Sequence, residues 1–371
     1  MQNVTHDKGQ YDRTLLFAVL ALVTLSVVMV YSASSVVALT TYGDPMFFMK
    51  RQVLWAVVGL ALMAVAMRVD HRVLSDRRIV AALLLLSLFL LALTLVPGIG
   101  KMINGSRRWL RLGMLSFQPS ELAKFSLVVY MSYIIAKKGE RLRDFMNGLL
   151  PAYVVCGAFL LIAGLQPDFG AVMTIAGVAS ILLFAGGANL AHLGVTALVA
   201  APFVHFAVVH SAYRLRRIFS FLDPWEDPQG AGHQIIQSFL AFGSGGVFGR
   251  GLGEGRQKLL FLPERHSDFI YAVIGEELGL IGAVAVLALF LVILWRGVRI
   301  ALSVGDQFSR MLALGTTLLV CMQGLINMAV VTGLLPTKGI ALPLVSYGGS
   351  SLVITMGAMG VLLNISRETR V

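Results

Sequence analysis

The chain reads as an all-α polytopic membrane protein of about ten transmembrane helices. Both ends are expected on the cytoplasmic side (N-in, C-in), with a long extracytoplasmic loop between the seventh and eighth spans. Three observations lead there. Of 371 residues, 57% are hydrophobic and only 13% charged, and the mean hydropathy is +0.81, more apolar than a water-soluble core of this size requires. Apolar runs recur that are long enough, at about 20 residues each, to cross the hydrocarbon layer as helices. Lysine and arginine fall unevenly between alternate connecting segments.

In chain order the spans are expected near Leu15–Leu39, Val53–Met67, Ile79–Val96, Pro119–Ala136, Leu149–Leu165, Gly170–Ala185, Leu190–Val209, Phe269–Trp295, Phe308–Thr332 and Ile340–Ile365. With the N-terminus inside, the inner segments hold 15 basic residues: Lys8, Arg13, Arg68, Arg72, Arg77, Arg78, Lys137, Lys138, Arg141, Arg143, Arg296, Arg299, Arg310, Arg367 and Arg370. The short outer loops hold 7: Lys50, Arg51, Lys101, Arg107, Arg108, Arg111 and Lys338. That imbalance sets the orientation. The chain is read as one integral membrane domain, 1–371, with residues 1–13 and 366–371 as cytoplasmic tails and 211–267 as the large outer loop. Met1–Arg13 is polar and lacks the apolar core of a signal peptide, so the first span is expected to stay as an anchor.

Cys156 and Cys321 both lie inside apolar spans, and no Cys or His pair has zinc spacing, so neither a disulfide framework nor a metal site is indicated. The net charge of +11 is spread over loops between spans. Anionic lipid or a phosphorylated substrate is therefore the expected partner, and nucleic acid is not. Two outer segments are basic against the positive-inside trend: Lys101–Arg111, and Ser211–Ser267 with Arg214, Arg216, Arg217, Arg250, Arg256, Lys258 and Arg265. Arginine grips phosphate oxygens bidentately, which gives such charge a use other than topology; a solvated, lipid-facing basic surface is the plain alternative. Within the long loop, Gln234–Phe242 reads as a short amphipathic helix. Gly243–Gly255 follows as a glycine string with no preceding strand and no following Lys-Ser/Thr, which removes the phosphate-loop reading and leaves turned or flexible backbone.

The chemistry gathers where that loop re-enters the membrane. Leu262-Pro263-Glu264-Arg265-His266-Ser267-Asp268 runs directly into the eighth span, which puts Asp268 at the membrane's edge and Glu276 and Glu277 about 12 Å deeper at ~1.5 Å per residue. Acids at that depth are costly unless they face a partner or a wet cavity. Asp268 admits two readings: a helix N-cap, whose carboxylate is occupied by backbone amides, or a functional acid with Arg265, His266 and Glu276 as company. In the fourth span Pro119 suits a first helical position, and Glu121 and Lys124 lie one turn apart, either as a mutually neutralising pair or with Lys124 offered to an anionic ligand. Upstream, Arg107 and Arg108 adjoin Trp109, an interfacial anchor or a stacking surface for a sugar. Lys338-Gly339 leads into the last span, which carries Pro343, Ser346, Gly348, Gly349 and Ser350. Such breaks in helix regularity are tolerated only against protein or water, so this segment is expected to line the same cavity.

These residues lie in the motifs NGSRRWL, QPSELAK, QPDFG (Gln166–Gly170), DPWEDP, LPERHSDFIYAVIGEELGLIG and LPTKGIALPLVSYGGSS. From Asp12 to Arg370 the chain resembles the SEDS family (shape, elongation, division and sporulation), and its Pro-Thr-Lys-Gly is more similar to the cell-division branch than to the rod-elongation branch. The resemblance implies a multi-pass protein of a bacterial plasma membrane at the division septum. It implies a polymerase of lipid II, the undecaprenyl-pyrophosphate-linked disaccharide-pentapeptide, working with a class B penicillin-binding protein and other division proteins. It places the family's essential outer-loop aspartate on Asp268, its fourth-span Glu and Lys on Glu121 and Lys124, and its loop Trp on Trp109. The expected reaction is an inverting transfer with Asp268 as general base. The basic residues hold the diphosphate; no cofactor is assigned, and a divalent cation (Mg or Mn) is admissible beside it. A lipid II flippase and a non-catalytic scaffold for a transpeptidase are the alternatives.

Overall fold

A computed structural model describes residues 9–103, 106–112, 115–230, 232–256, 263 and 265–368. Lys8, Leu262, Glu264, Lys258, Arg370 and the outermost parts of both tails lie outside the described residues. The bundle is built from α1 (Arg13–Tyr42), α2 (Phe47–Arg68), α3 (Arg77–Leu95), α4 (Pro119–Lys138), α5 (Leu150–Leu165), α6 (Phe169–Ala185), α7 (Leu190–Val209), α8 (Ala212–Leu222), α9 (His233–Gly245), α10 (Ile270–Glu277), α11 (Gly279–Ser303), α12 (Gln307–Val331) and α13 (Gly349–Ser366). Among the described residues seven helical stretches are long and apolar enough to cross a membrane: α1, α2, α3, Phe145–Leu165, α11, α12 and α13; Phe169–Ala185 and Leu190–Phe203 are shorter apolar helices. The all-α polytopic class therefore holds. Exposed Leu, Val, Ile and Phe side chains cover the outside of the bundle, among them Leu85, Phe89, Leu198, Phe203 and Leu302, as a lipid-facing surface requires.

α12 is the central helix, packed on α4, α6, α11 and α13. α2 and α13 pair along their lengths: the Trp55 indole lies directly on Gly349, Met356 on Gly59, and the Met63 backbone on Gly360. Small residues let the two backbones approach closely, which is how helices associate where lipid is as apolar as leucine. At one end of the bundle the two ends of the chain meet. Gly9 N–H donates to Arg367 C=O, Asp12 N–H to Ser366 Oγ, and Arg296 Nε lies 2.6 Å from Asp12 Oδ2. His71, buried there, lies 2.8 Å from both Asn364 Oδ1 and Ser309 Oγ.

Three expectations need correction. Between α3 and α4 the chain forms a three-stranded antiparallel sheet: β1 (Gly100–Ile103), β2 (Ser106–Leu112) and β3 (Leu115–Phe117). The alternating run around Asn104-Gly105, a strong hairpin dipeptide, is the signal for it. The eighth span, expected to be continuous from Phe269 to Trp295, is two helices broken at Leu278–Gly279. Gly279 sits at φ +68, and a Cβ there would fall 2.3 Å from Gly249 N. The tenth span starts at Gly349 and not at Ile340; the chain from 332 to 348 runs through the bundle without helix, with Leu344 in the left-handed region at φ +64. An additional amphipathic helix, α8, precedes the expected α9. Gly279→Val combines a backbone strain with a clash, and should lower the midpoint of thermal unfolding in detergent by several degrees, at a cost of roughly 2 kcal/mol or more.

Candidate active site

The end of the bundle away from the joined chain ends collects most of the residues singled out above, through main chain more than through helices. α10 starts at Ile270 with Phe269 at its cap position, so Asp268 stands one residue outside the helix and is not its N-cap residue. The Asp268 side chain is half-buried, and its Oδ2 lies against Gly339, 3.1 Å from where a Cβ would be. Asp268 C=O accepts from Asn327 Nδ2 at 2.7 Å. The preceding residues are tied to the 340s: Ser346 Oγ donates to Ser267 C=O at 2.6 Å and accepts from Leu342 N–H at 2.8 Å, and Tyr347 N–H donates to His266 C=O. The His266 ring packs between Phe48, 4.9 Å away, and Tyr347, 5.7 Å away. Arg265 is buried, with Nε lacking a hydrogen-bond partner among the described residues, and burial pushes its guanidinium below the ordinary arginine range.

Glu121 and Lys124 are both buried on α4 and form an ion pair at 2.8 Å. Lys124 Nζ also donates to Gln323 Oε1 at 2.6 Å, and Gln323 Nε2 donates to Ala341 C=O at 3.3 Å. The fourth-span pair is thus wired into the wall of non-helical chain that faces Asp268. Ser350 Oγ accepts from Gln118 N–H at 3.1 Å, joining the first turns of α13 and α4. Ser346 and Ser350 both hold backbone.

Arg107, Arg108 and Trp109 lie in β2. Lys101 pairs with Trp109 and Met102 with Arg107, which leaves Arg108 as the extra residue of a β-bulge, a device that re-aims a side chain. Arg108 Nε donates to Gln166 C=O at 3.3 Å, Nη2 donates to Pro167 C=O, and Nη1 lies 3.8 Å from Asp168 Oδ1. Asp168, in the QPDFG turn, caps α6 by accepting from Ala171 N–H, and its Oδ2 is buried without a partner among the described residues. The first turn of α6 then meets the other side of the site. Gly170 packs on Ile340, Lys338 Nζ contacts Met173 Sδ, Arg214 stacks 4.0 Å over Phe169, and Arg217 Nη1 donates to Thr337 C=O at 2.9 Å. Burial holds the Lys338 ammonium below the usual lysine range.

Glu276 is not brought to this group. Both glutamates of α10 are fully buried and clasp the glycine-rich segment. Glu276 Oε1 accepts from Arg256 N–H at 2.7 Å. Glu277 accepts from Gly253 N–H at 3.1 Å and from Ser32 Oγ at 2.6 and 2.7 Å. The main chains also pair, Arg250 N–H to Glu276 C=O and Gly251 N–H to Glu277 C=O. These acids therefore hold a loop, which is a different use from lining a cavity with Asp268. The residues that sequence reasoning missed are Gln323, Asn327 and Asp168. Two amides four apart in an otherwise apolar helix were the available signal for the first two. Among the described residues no three His, Cys, Asp or Glu side chains gather to hold a metal ion. Replacing both Glu276 and Glu277 by Gln exchanges buried carboxylate acceptors for amides and should open the segment 243–256 to limited proteolysis, several-fold faster than wild type.

The family of cell cycle proteins that includes FtsW, RodA and SpoVE matches residues 13–371. A probable peptidoglycan glycosyltransferase FtsW of Geobacter sulfurreducens is 51% identical over 361 residues, 97% of this chain and 96% of that protein. Stage V sporulation protein E of Bacillus subtilis is 43% identical over 368 residues, covering 99% and 100%. Among solved structures, a chain of a peptidoglycan synthase complex described as coordinating polymerization and crosslinking superposes with a TM-score of 0.78 at 32% identity, covering 96% of this chain and 98% of that one. The rod shape determining protein RodA of Thermus thermophilus superposes with a TM-score of 0.70 at 29% identity, covering 97% and 98%.

Proposed function

This chain belongs to the SEDS family of cell cycle proteins and is a peptidoglycan glycosyltransferase, and we propose that it polymerises lipid II during division with Asp268 as the general base. The observation that carries this reading is the position of Asp268. It is one residue outside its helix, half-buried, against the Gly339 wall, with Arg108 held at the turn before α6 and Lys338 against Met173 of α6. In the proposed step the acceptor GlcNAc 4-hydroxyl attacks the anomeric carbon of the donor MurNAc. The C1–O bond to the diphosphate breaks with inversion as the new C1–O4 bond forms, and the hydroxyl proton passes to the Asp268 carboxylate and on to water. Undecaprenyl diphosphate leaves with both electrons of the broken bond. It is a good leaving group that needs electrostatic stabilisation more than a proton.

Arg107, Arg108 and Lys338 are the proposed holders of the diphosphate. Lys124 has two of its three N–H donors engaged, by Glu121 and Gln323, and the third is proposed to reach a substrate oxygen. Trp109 offers its ring to a sugar, and His266 and Arg265 shape the turn before the acid. Ten spans are proposed: α1 to α7, α10 with α11 as one broken span, α12, and α13. Both ends are then cytoplasmic and 211–267 extracytoplasmic, in the plasma membrane at the septum. A crosslinking class B penicillin-binding protein is the proposed partner, by analogy with the synthase complex whose chain this one resembles.

Purified protein given lipid II, with and without a partner transpeptidase, and read as glycan length on a gel, tests the assignment. Asp268→Asn should reduce polymer formation by about 10²–10⁴-fold, the worth of general base help, while the protein still purifies folded. Wild-type polymerisation by that variant would remove Asp268 from the reaction. Relocation of labelled lipid II without polymer, by wild type, would make the chain a flippase.

A further inference from the structure

α12 turns two amide side chains, Gln323 and Asn327, to one face, because residues four apart stack along a helix. Both are buried, at 5% and 1% exposure. Asn327 Nδ2 donates to Asp268 C=O at 2.7 Å and to Ile340 C=O at 2.6 Å. One turn away, Gln323 donates to Ala341 C=O and accepts from Lys124. A single helix face therefore carries the carbonyl of the acid itself and two successive carbonyls of the opposing strand. The residue before that pair, Gly339, is the one that meets Asp268 Oδ2.

Asn327 commits its amino group to these two carbonyls, while its Oδ1 is buried with no hydrogen-bond partner among the described residues. A leucine of similar size would leave the Asp268 and Ile340 carbonyls without this donor, so the amide satisfies two buried acceptors at the cost of one orphaned Oδ1. What it gains is a fixed spacing between the turn that bears the acid and the wall of Lys338, Gly339 and Ile340.

We infer that Asn327, backed by Gln323, is a positioning residue of the transfer reaction: it sets the distance of Asp268 from the Lys338–Gly339 wall and links that distance to the Glu121–Lys124 pair. The inference rests on Asp268 being the base. Its consequence is kinetic, since a displacement of about 1 Å at a reacting group costs on the order of 10²-fold in rate without loss of affinity.

The test measures lipid II consumption by the purified full chain in proteoliposomes, as kcat and KM separately, alongside thermal unfolding. In Asn327→Asp an oxygen replaces the donor and faces two carbonyls; Asn327→Ala deletes the strap; Gln323→Ala deletes the link behind it. The expected result is a fall in kcat of about 100-fold for both Asn327 variants and of about 10-fold for Gln323→Ala. KM should stay within about threefold and the unfolding midpoint within a few degrees. Wild-type kcat in either folded Asn327 variant overturns the inference, as does an effect confined to KM. So does collapse of thermal stability in both Asn327 variants, which would assign the amide to holding the fold. Asp268→Asn runs beside them: if it polymerises normally the base assignment fails, and the positioning role fails with it, whereas an inactive Asp268→Asn with active Asn327 variants removes only the positioning role.

Discussion

Two pieces of non-helical backbone pass through the site end of this bundle, 265–269 and 332–348, and their peptide groups need partners. Lipid supplies none, and an unsatisfied carbonyl in hydrocarbon costs several kcal/mol. The structure meets that requirement with side chains: Asn327 for Asp268 and Ile340, Gln323 for Ala341, Ser346 for Ser267 and Leu342. Irregular chain is what allows an acid, a lysine and a glycine wall to come together at one depth. The amides and hydroxyls that satisfy it are, for the same reason, what fixes their geometry. Scaffold and site share the same hydrogen bonds here.

The same economy of donors explains the two glutamates of α10. A helix eight residues long and buried along its whole length has no lipid-facing side to spread charge toward, so each carboxylate has to be met locally. Backbone amides of the glycine-rich segment do this, with Ser32 of α1 and Ser244 adding hydroxyl donors. Glycine suits the segment because a Cβ at Gly255 would fall 3.0 Å from Glu276 Oε2 and 3.0 Å from Glu277 Oε1. The long segment between α7 and α10 is thereby anchored to the helix bundle at one end by acids, and at the other by Arg214 and Arg217 on Phe169 and Thr337.

The membrane class and the helix positions were legible because hydrophobic run length is a strong, local signal: α1, α3 and α12 fall within a few residues of where composition puts them. Two breaks were not legible. Nothing in Ala272–Trp295 distinguishes a broken helix from a whole one except Gly279, and glycine is common in membrane helices. Helical apolarity also masked the Ile340–Gly348 stretch, although Pro343 and Gly348-Gly349 stood inside it. The small sheet is masked in the sequence because the basic residues of Lys101–Arg111 blur the polar–apolar alternation of its strands. At the site, motif and chemistry identified Asp268, Glu121 and Lys124 as residues of interest. Their connection was invisible, since it runs through Gln323 and Asn327, which act on main-chain carbonyls and carry no charge to mark them.

The far end of the bundle bears on how signals cross the molecule. There the first helix's cap residue holds Ser366 and Arg296, and α13 runs unbroken from Ser366 back to Ser350, where it grips the first turn of α4. A rigid rod fastened at both ends transmits push and pull. The cap residue of the first helix and the start of the helix that bears Glu121 and Lys124 are thus joined through one continuous helix.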